Sequence, residues 1–403
     1  MRVLSVGLLY PPHHLGGYEL VFEGVTNATI ARGHEVRVLV SDHRLPGRSG
    51  ADGEHVRRAL RSHLDASALR AAHHLDLRQR LAIERHNSAV LSSQLLELSP
   101  DVVCWWAMSG VSLTLIEQVR RAGISSVLMV HDTWPVYALA SEPWLRAARR
   151  LRLALLAPLI EPLLGVPVRL DLDRSGRFLF NSAYTRDAVR ASGLRPRDEG
   201  VLTPGVSPRY EPAASASCWR GRLLYVGRLD PVKGVDLAIL ALARLPAETT
   251  LTIVGAGAPA YEAGLRREAE ALGVAERVTF AGAAEAGELP AFYAQSDAVL
   301  FPVRWQEPWG LVPLEAMAVG RPVIATAMGG AASYLRDGRN AIVVPPGDPS
   351  ALAAAVERVA HDRGLRERLR AGGFQAAAEH SAARYERAAV DELERAAGAP
   401  RRR

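Results

Sequence analysis

The amino-acid sequence predicts an α/β protein of two domains similar in kind, on three observations. The chain has 403 residues, more than one hydrophobic core comfortably organises. Short apolar runs alternate with longer amphipathic segments almost from end to end, the rhythm of parallel strands covered by helices. Between two such series lies a segment without periodicity, residues 206–217, rich in proline, alanine and serine, as expected of a linker.

Strands of the first series are expected at 3–8, 36–40, 102–105, 127–130 and 178–180. A helix over 18–32 follows the first of them, and Gly33 stops it and leads into the second strand. Residues 43–100 read as a long insertion bearing histidines and arginines. The second series is expected at 223–226, 251–254, 278–281, 298–301, 323–325 and 342–344, with alanine-rich helices at 349–371 and 381–397. The domains expected are therefore 1–206 and 218–375.

Composition narrows the class. Hydrophobic residues make up 48% of the chain, which suits a packed globular protein. Cys104 and Cys218 have neither metal-ligand nor redox spacing, so neither a disulfide framework nor a zinc site is expected, and a reducing, cytoplasmic setting fits. The opening apolar run ends at Tyr10-Pro11-Pro12, too soon for a signal segment, and reads as a buried strand. No uncharged apolar stretch reaches spanning length. The net charge of +6 includes clusters at Arg146, Arg149, Arg150 and Arg152 and at Arg401 to Arg403. Without a nucleic-acid-binding signature, no nucleic-acid partner is expected; the arginines serve either solvated helix faces or a polyanion.

Open α/β sheets bind ligands beyond the carboxyl ends of their strands, and several loops there carry suitable chemistry. Gly16-Gly17 precedes the first helix, where backbone can approach an anion, unless this is an ordinary turn. His131-Asp132 follows the fourth expected strand, as a site imidazole or a structural one. Gly227-Arg228 and Lys233-Gly234 place two cations in one loop, able to neutralise a diphosphate or merely to meet solvent. Glu307-Pro308-Trp309-Gly310-Leu311-Val312-Pro313-Leu314-Glu315 sets two carboxylates either side of a helix start. Amides near Gly310 to Val312 would meet a pyrophosphate, Glu307 sugar hydroxyls, and Glu315, expected in the first turn, a ribose. Gly255-Ala256-Gly257 imitates a dinucleotide fingerprint, but it does not follow the first strand of its domain and Pro259 stands beside it.

These motifs, in this order, resemble the retaining GT-B glycosyltransferases of glycosyltransferase family 4. Tyr10-Pro11-Pro12, Gly16-Gly17 and Arg32-Gly33-His34-Glu35-Val36 are similar to its N-terminal signature, and Phe180-Asn181-Ser182-Ala183-Tyr184-Thr185 to its last N-domain strand. The pair Glu307 and Glu315 resembles its most specific signature. The resemblance implies two Rossmann-like domains facing across a cleft, the first for the acceptor and the second for a nucleotide-sugar, with the last helix crossing back to the first. It implies transfer of a hexosyl group from a nucleotide-sugar, by family frequency a UDP-sugar, to an acceptor hydroxyl with retention and without a metal or other cofactor. The acceptor would be a small molecule, glycan or lipid-linked intermediate.

By the same resemblance Gly17 would approach the diphosphate or acceptor and His131 would line the donor sugar. Gly227, Arg228 and Lys233 would hold the leaving diphosphate. Glu307, Trp309 and Gly310 would read the sugar, Leu311 and Val312 would donate amides to phosphate, and Glu315 would bind ribose. The base would lie against 282–289. Departures from the family pattern are Val303 where a small residue is usual, Pro204 where asparagine is usual, and Ala331-Ala332-Ser333 where a glutamate is common. A GT-B epimerase or phosphorylase and a noncatalytic binding protein are the alternatives. The basic, leucine-rich segment 142–164 is either a core helix with a solvated basic side or a peripheral contact with the inner membrane face.

Overall fold

The computed structural model describes residues 1–45, 50–64, 75–213 and 219–398; Cys218, residues 214–217 of the expected linker and the terminal arginines lie outside the described residues. The chain divides into two compact units, Met1–Thr203 with the residues from Glu386 on, and Pro204–Tyr385.

The first unit runs β1 (Arg2–Val6), α1 (Gly17–Ala31), β2 (Glu35–Ser41), β3 (Val56–Leu60), α2 (Leu77–Leu98), β4 (Val102–Trp105), α3 (Thr114–Arg121), β5 (Ser125–Val130), α4 (Trp134–Ser141), α5 (Pro143–Arg150), α6 (Ala157–Leu164), β6 (Arg177–Phe180), α7 (Ala183–Ala191) and β7 (Asp198–Val201). Its seven strands are parallel in the order β3-β2-β1-β4-β5-β6-β7. The central strands are apolar because helices cover both faces; Val102 to Trp105 are all buried. Local signals place the helices. Asp76 closes a capping box with Gln79 at α2, the Ser182 hydroxyl accepts from the Thr185 amide at α7, and Pro143 opens α5 beside the Glu142 cap.

The second unit runs β8 (Arg222–Val226), α8 (Val235–Leu242), β9 (Thr250–Val254), α9 (Pro259–Ala271), β10 (Val278–Gly282), α10 (Leu289–Gln295), β11 (Ala298–Phe301), α11 (Leu311–Val319), β12 (Val323–Ala325), β13 (Ile342–Val343), α12 (Pro349–His361) and α13 (Arg363–Glu379), and the chain ends in α14 (Ala382–Gly398). Its six strands are parallel in the order β10-β9-β8-β11-β12-β13. In both sheets the winding reverses beside the first strand, between β1 and β4 and between β8 and β11, the switch point where such sheets hold ligands.

Four expectations need correction. The segment 43–100 is not simply an insertion, since it supplies strand β3 and helix α2, and β7 was likewise not foreseen. The expected helix 349–371 is two: Asp362 is extended, and its carboxylate accepts from the Leu365 amide at 2.8 Å to start α13. The described part of the expected linker is anchored in the second unit. Val206 pairs with Ser381 and donates to the His380 carbonyl at 2.8 Å, and Tyr210 is buried. Segment 142–164 is a core helix with a solvated basic side only over α5, where Trp144, Leu145, Ala147 and Ala148 are buried and the arginines exposed; a 3₁₀ turn and α6 follow, and Ala157 is the one buried residue of α6.

Within the first unit α14 is held by charge. Arg32 meets Asp391 at 2.5 Å and Glu394 at 3.2 Å, and Arg177 meets Glu392 at 2.6 Å. Among the described residues no helix is long and apolar enough to cross a membrane.

Candidate active site

The switch point of the second sheet is flanked by the loops after β8 and β11, and these hold most of the charged residues singled out from the sequence. After β8 the Tyr225 hydroxyl donates to the Arg228 carbonyl at 3.1 Å and fixes the turn. The Arg228 side chain is half exposed, its guanidinium 3.9 Å from the Asp230 carboxylate. The Asp230 carboxylate also accepts from the Val232 amide at 3.2 Å, capping the short turn that presents Lys233. Lys233 Nζ donates to Glu307 Oε2 at 2.6 Å and lies 4.8 Å from the centre of the Trp305 ring, whose Nε1 donates to the same oxygen at 2.8 Å. The sequence assigns Lys233 to phosphate and Glu307 to sugar separately; the structure brings them together as an ion pair.

Glu307 is fixed from behind. Its carbonyl accepts from the Gly330 amide at 2.7 Å, and Gly329, at φ +61°, passes so close that a Cβ there would stand 2.4 Å from that oxygen. Gly310 also has a left-handed backbone, at φ +85°, and its carbonyl accepts from the Tyr334 hydroxyl at 2.5 Å. Trp309 is buried between Tyr334 and His380, with ring centres 5.0 and 5.1 Å away, and its indole Nε1 has no hydrogen-bond partner among the described residues. From Gly310 the chain enters α11, and no side chain caps that helix. The first amides of a helix have no partner inside it and carry its positive dipole end, so the Leu311 and Val312 N–H groups lie on the same sheet edge as Lys233.

Glu315 departs from expectation. It sits beyond the first turn of α11, so a favourable helix-start charge does not account for it. Its Oε2 accepts from the Tyr293 hydroxyl at 2.6 Å, and the Tyr210 hydroxyl is a second donor. Burial raises its pKa, and the two phenols oppose that rise. Trp305, Tyr334, Tyr293 and Tyr210 were not singled out from the sequence. Closeness to Glu307 was a signal for Trp305 alone.

The imitation of a dinucleotide fingerprint has a packing role. Gly255 donates to the Gly282 carbonyl at 2.7 Å, the Gly257 amide to Glu262 at 2.6 Å, and Leu229 to the Ala256 carbonyl at 2.9 Å. The amides of Gly255 and Gly257 are thus engaged.

In the first unit the sheet edge is of another kind. Gly17 opens α1 and is exposed, and Glu19 accepts from the Gly16 amide at 3.2 Å, so that helix start already carries a carboxylate. His131, after β5, meets the rings of Tyr18 at 4.8 Å and Trp106 at 5.8 Å, and its carbonyl accepts from Asn181 at 2.7 Å. Burial pushes the His131 imidazole down to about 3. Burial, with a smaller contribution from Asp132, pushes Glu19 up to about 7, and burial also raises Asp132, which accepts from the Trp134 amide and the Tyr137 hydroxyl. Desolvation favours the neutral form of each group.

Over nearly its whole length the chain is similar to sucrose-phosphate synthase from Thermosynechococcus elongatus, with a TM-score of 0.72, 20% identity and 98% of each chain covered. It is also similar to Anabaena HepE, solved in complex with UDP-glucose, with a TM-score of 0.69 and 20% identity over 98% of this chain and 100% of that one. With its two Rossmann-like parallel sheets, the molecule is an α/β protein of the GT-B class.

Curated relatives include the D-inositol 3-phosphate glycosyltransferase of Mycobacterium marinum, 31% identical over 272 residues, which are 63% of this chain and 56% of that one. Another is a glycosyltransferase of Methanocaldococcus jannaschii, 25% identical over 369 residues and 91% of each chain. The chain spans about half the length of most of the curated relatives it matches. Residues 15–210 match the model described as Glycosyltransferase Family 4, and residues 220–376 match Glycosyl transferases group 1. The chain belongs to this family of glycosyltransferases.

Proposed function

We propose that the protein transfers a hexosyl group from a UDP-sugar to an acceptor hydroxyl with retention of configuration, and that side chains and amides, rather than a metal, hold the diphosphate. The observation that carries this reading is the edge between β8 and β11, where Arg228, Lys233 and the uncapped start of α11 converge on one loop pair. The solved likeness of HepE with UDP and UDP-glucose supports the choice of nucleotide.

In this reading the bond from the sugar's anomeric carbon to the diphosphate loosens first, and the departing phosphate oxygen takes the proton of the acceptor hydroxyl on the same face. No enzyme nucleophile is needed. The protein's task is electrostatic: Arg228, Lys233 and the Leu311 and Val312 amides stabilise the growing negative charge. Glu307, Trp309 and Gly310 orient the sugar, Glu315 holds the ribose, and Gly227 lets the β8 loop approach the phosphates. His131 remains neutral at working pH and offers the sugar a hydrogen bond rather than a charge, and Gly17 faces the acceptor.

A panel of UDP, GDP and their sugars in a thermal-shift assay tests the reading. A ligand at a hundred times its Kd stabilises the folded form by about 2.7 kcal/mol, so UDP and UDP-sugars are expected to raise the Tm by several degrees. A flat response to every nucleotide overturns it. Product analysis with the donor that binds separates transfer from epimerisation, phosphorolysis and binding without turnover.

The same proposal includes a peripheral membrane contact. Leu155, Leu159 and Leu163 are 78%, 71% and 78% exposed, beside exposed Leu151 and Leu156, and Arg146, Arg149, Arg150 and Arg152, which precede Leu155 in sequence, are also exposed. Exposed leucines that follow a run of cations suit an anionic lipid surface. Co-sedimentation with phosphatidylglycerol vesicles, absent with phosphatidylcholine alone, is expected at low salt; no binding to either removes this part.

A further inference from the structure

Three buried side chains of the first unit converge from segments distant in sequence. His63 follows β3, Glu84 lies inside α2, and Glu142 caps α5; they are 1%, 0% and 5% exposed. His63 Nε2 is 2.8 Å from Glu84 Oε1 and 3.6 Å from Glu142 Oε1, and one such atom from each residue lies within 4.8 Å of the others. The second oxygen of each carboxylate is already engaged: Glu84 Oε2 accepts from the Thr114 hydroxyl, and Glu142 Oε2 from the Leu145 amide. Each carboxylate is thereby held with Oε1 toward the imidazole.

This arrangement is unsatisfied as it stands. The Nε2 hydrogen can serve Glu84, but buried Glu142 Oε1 is left without a donor unless one of the two facing carboxyls, Glu84 or Glu142, carries a proton. Nδ1 of His63 has no hydrogen-bond partner among the described residues, so only its Nε2 side orients the ring. Two carboxylates brought together out of water require a proton or a cation between them. For a four-coordinate ion bound at about 2.0–2.1 Å, tetrahedral geometry sets neighbouring ligands about 3.3 Å apart, and the observed 2.8 and 3.6 Å lie on either side of that spacing. A cavity of about 280 Å³, bordered by His63 and Glu142 together with Ser109 and Tyr137, leaves room for a fourth ligand. All of these lie on segments beyond the carboxyl ends of β3, β4 and β5, the ligand-binding edge of the sheet.

We propose that His63, Glu84 and Glu142 bind a divalent cation of the zinc class, with an open fourth position toward the cavity for water or an oxygen ligand. One imidazole and two carboxylates suit such an ion better than magnesium, which prefers all-oxygen octahedral sites. The site is independent of the reading of the second unit, since none of its residues is among those assigned to the diphosphate.

The test uses the full, untagged chain stripped with chelator and titrated with ZnCl₂, MnCl₂ or MgCl₂, followed by thermal shift and by metal analysis after desalting. One equivalent of zinc is expected, with a rise in Tm that EDTA reverses and magnesium does not reproduce. Glu142→Gln and His63→Gln are expected to weaken zinc at least about a hundredfold while keeping the wild-type far-UV spectrum. Cobalt added to the wild type provides a check that needs no variant, because a four-coordinate site gives intense visible bands. No retained zinc and no such bands in the folded wild type overturn the proposal in favour of a shared proton, and zinc retained at full stoichiometry by both folded variants overturns it in favour of another location.

Discussion

The two units are wound alike, yet the loops beyond the carboxyl ends of their strands differ in electrostatics. Beyond β8 and β11 stand Arg228, Lys233, Glu307 and an uncapped helix start. Beyond β1 and β5 stand Glu19, His131 and Asp132, each pushed by burial toward its neutral form. The fold supplies the address, and the loops decide what is delivered there. Charge suits a departing diphosphate, whereas a neutral polar edge suits an uncharged hydroxyl.

Removing the cations should break this contrast most strongly. Arg228→Ala and Lys233→Ala are each expected to lower turnover by about 10²–10³ with an unchanged far-UV spectrum; near-normal steady-state rates in both would remove the leaving-group role. Because Lys233→Ala also strands Glu307, the Lys233→Ala/Glu307→Gln pair, assayed for UDP binding, separates phosphate contact from the stranded carboxylate. Glu315→Gln is expected to weaken UDP by about ten- to a hundredfold, since hydrogen bonds to charged groups contribute about 1.5–3 kcal/mol; calorimetric titration reads this directly.

Backbone and proton effects are smaller. Gly310→Ala forces a side chain into a left-handed turn, with its Cβ 3.1 Å from the Phe301 ring, and is expected to lower stability by about 1–3 kcal/mol in urea unfolding. In the first unit His131 and Glu19 act with opposite signs. His131 titrates near 3 when folded against an ordinary 6.5, so its contribution is complete above pH 6.5 and is lost as pH falls toward 3. Glu19, raised from 4.5 to about 7, contributes below pH 4.5 and loses that contribution as pH rises through 7. Urea midpoints of His131→Asn should therefore fall less steeply on acidification than those of the wild type; parallel curves refute the assignment. The smallest effect belongs to Leu159→Ser/Leu163→Ser, expected to leave stability within about 0.5 kcal/mol while abolishing co-sedimentation with anionic vesicles.

Legibility in the sequence followed burial. β4, β11 and β12 were read to the residue because all their side chains are buried and their runs are purely apolar. The missed strands, β3 and β7, are the two outer strands of the first sheet. β3 carries Arg57 and Arg58, and β7 opens with Asp198 and Glu199, so neither shows an apolar run. In the site, residues beside glycines after strands were legible as local patterns. Tyr210 and Tyr293 were not, since their role arises from meeting Glu315 across the fold, and Tyr210 stood in what reads as a linker. The His63, Glu84 and Glu142 cluster was invisible for the same reason.

The course of α14 has a consequence for synthesis. Residues from Glu386 on belong with Met1–Thr203, where Glu392 and Glu394 meet Arg177 and Arg32. The ribosome therefore finishes the later-coded unit first, as one continuous stretch, while the earlier-coded one waits for the last helix to emerge. A premature stop near residue 385 would release a chain whose second unit is whole and whose first has lost the carboxylates that Arg32 and Arg177 require.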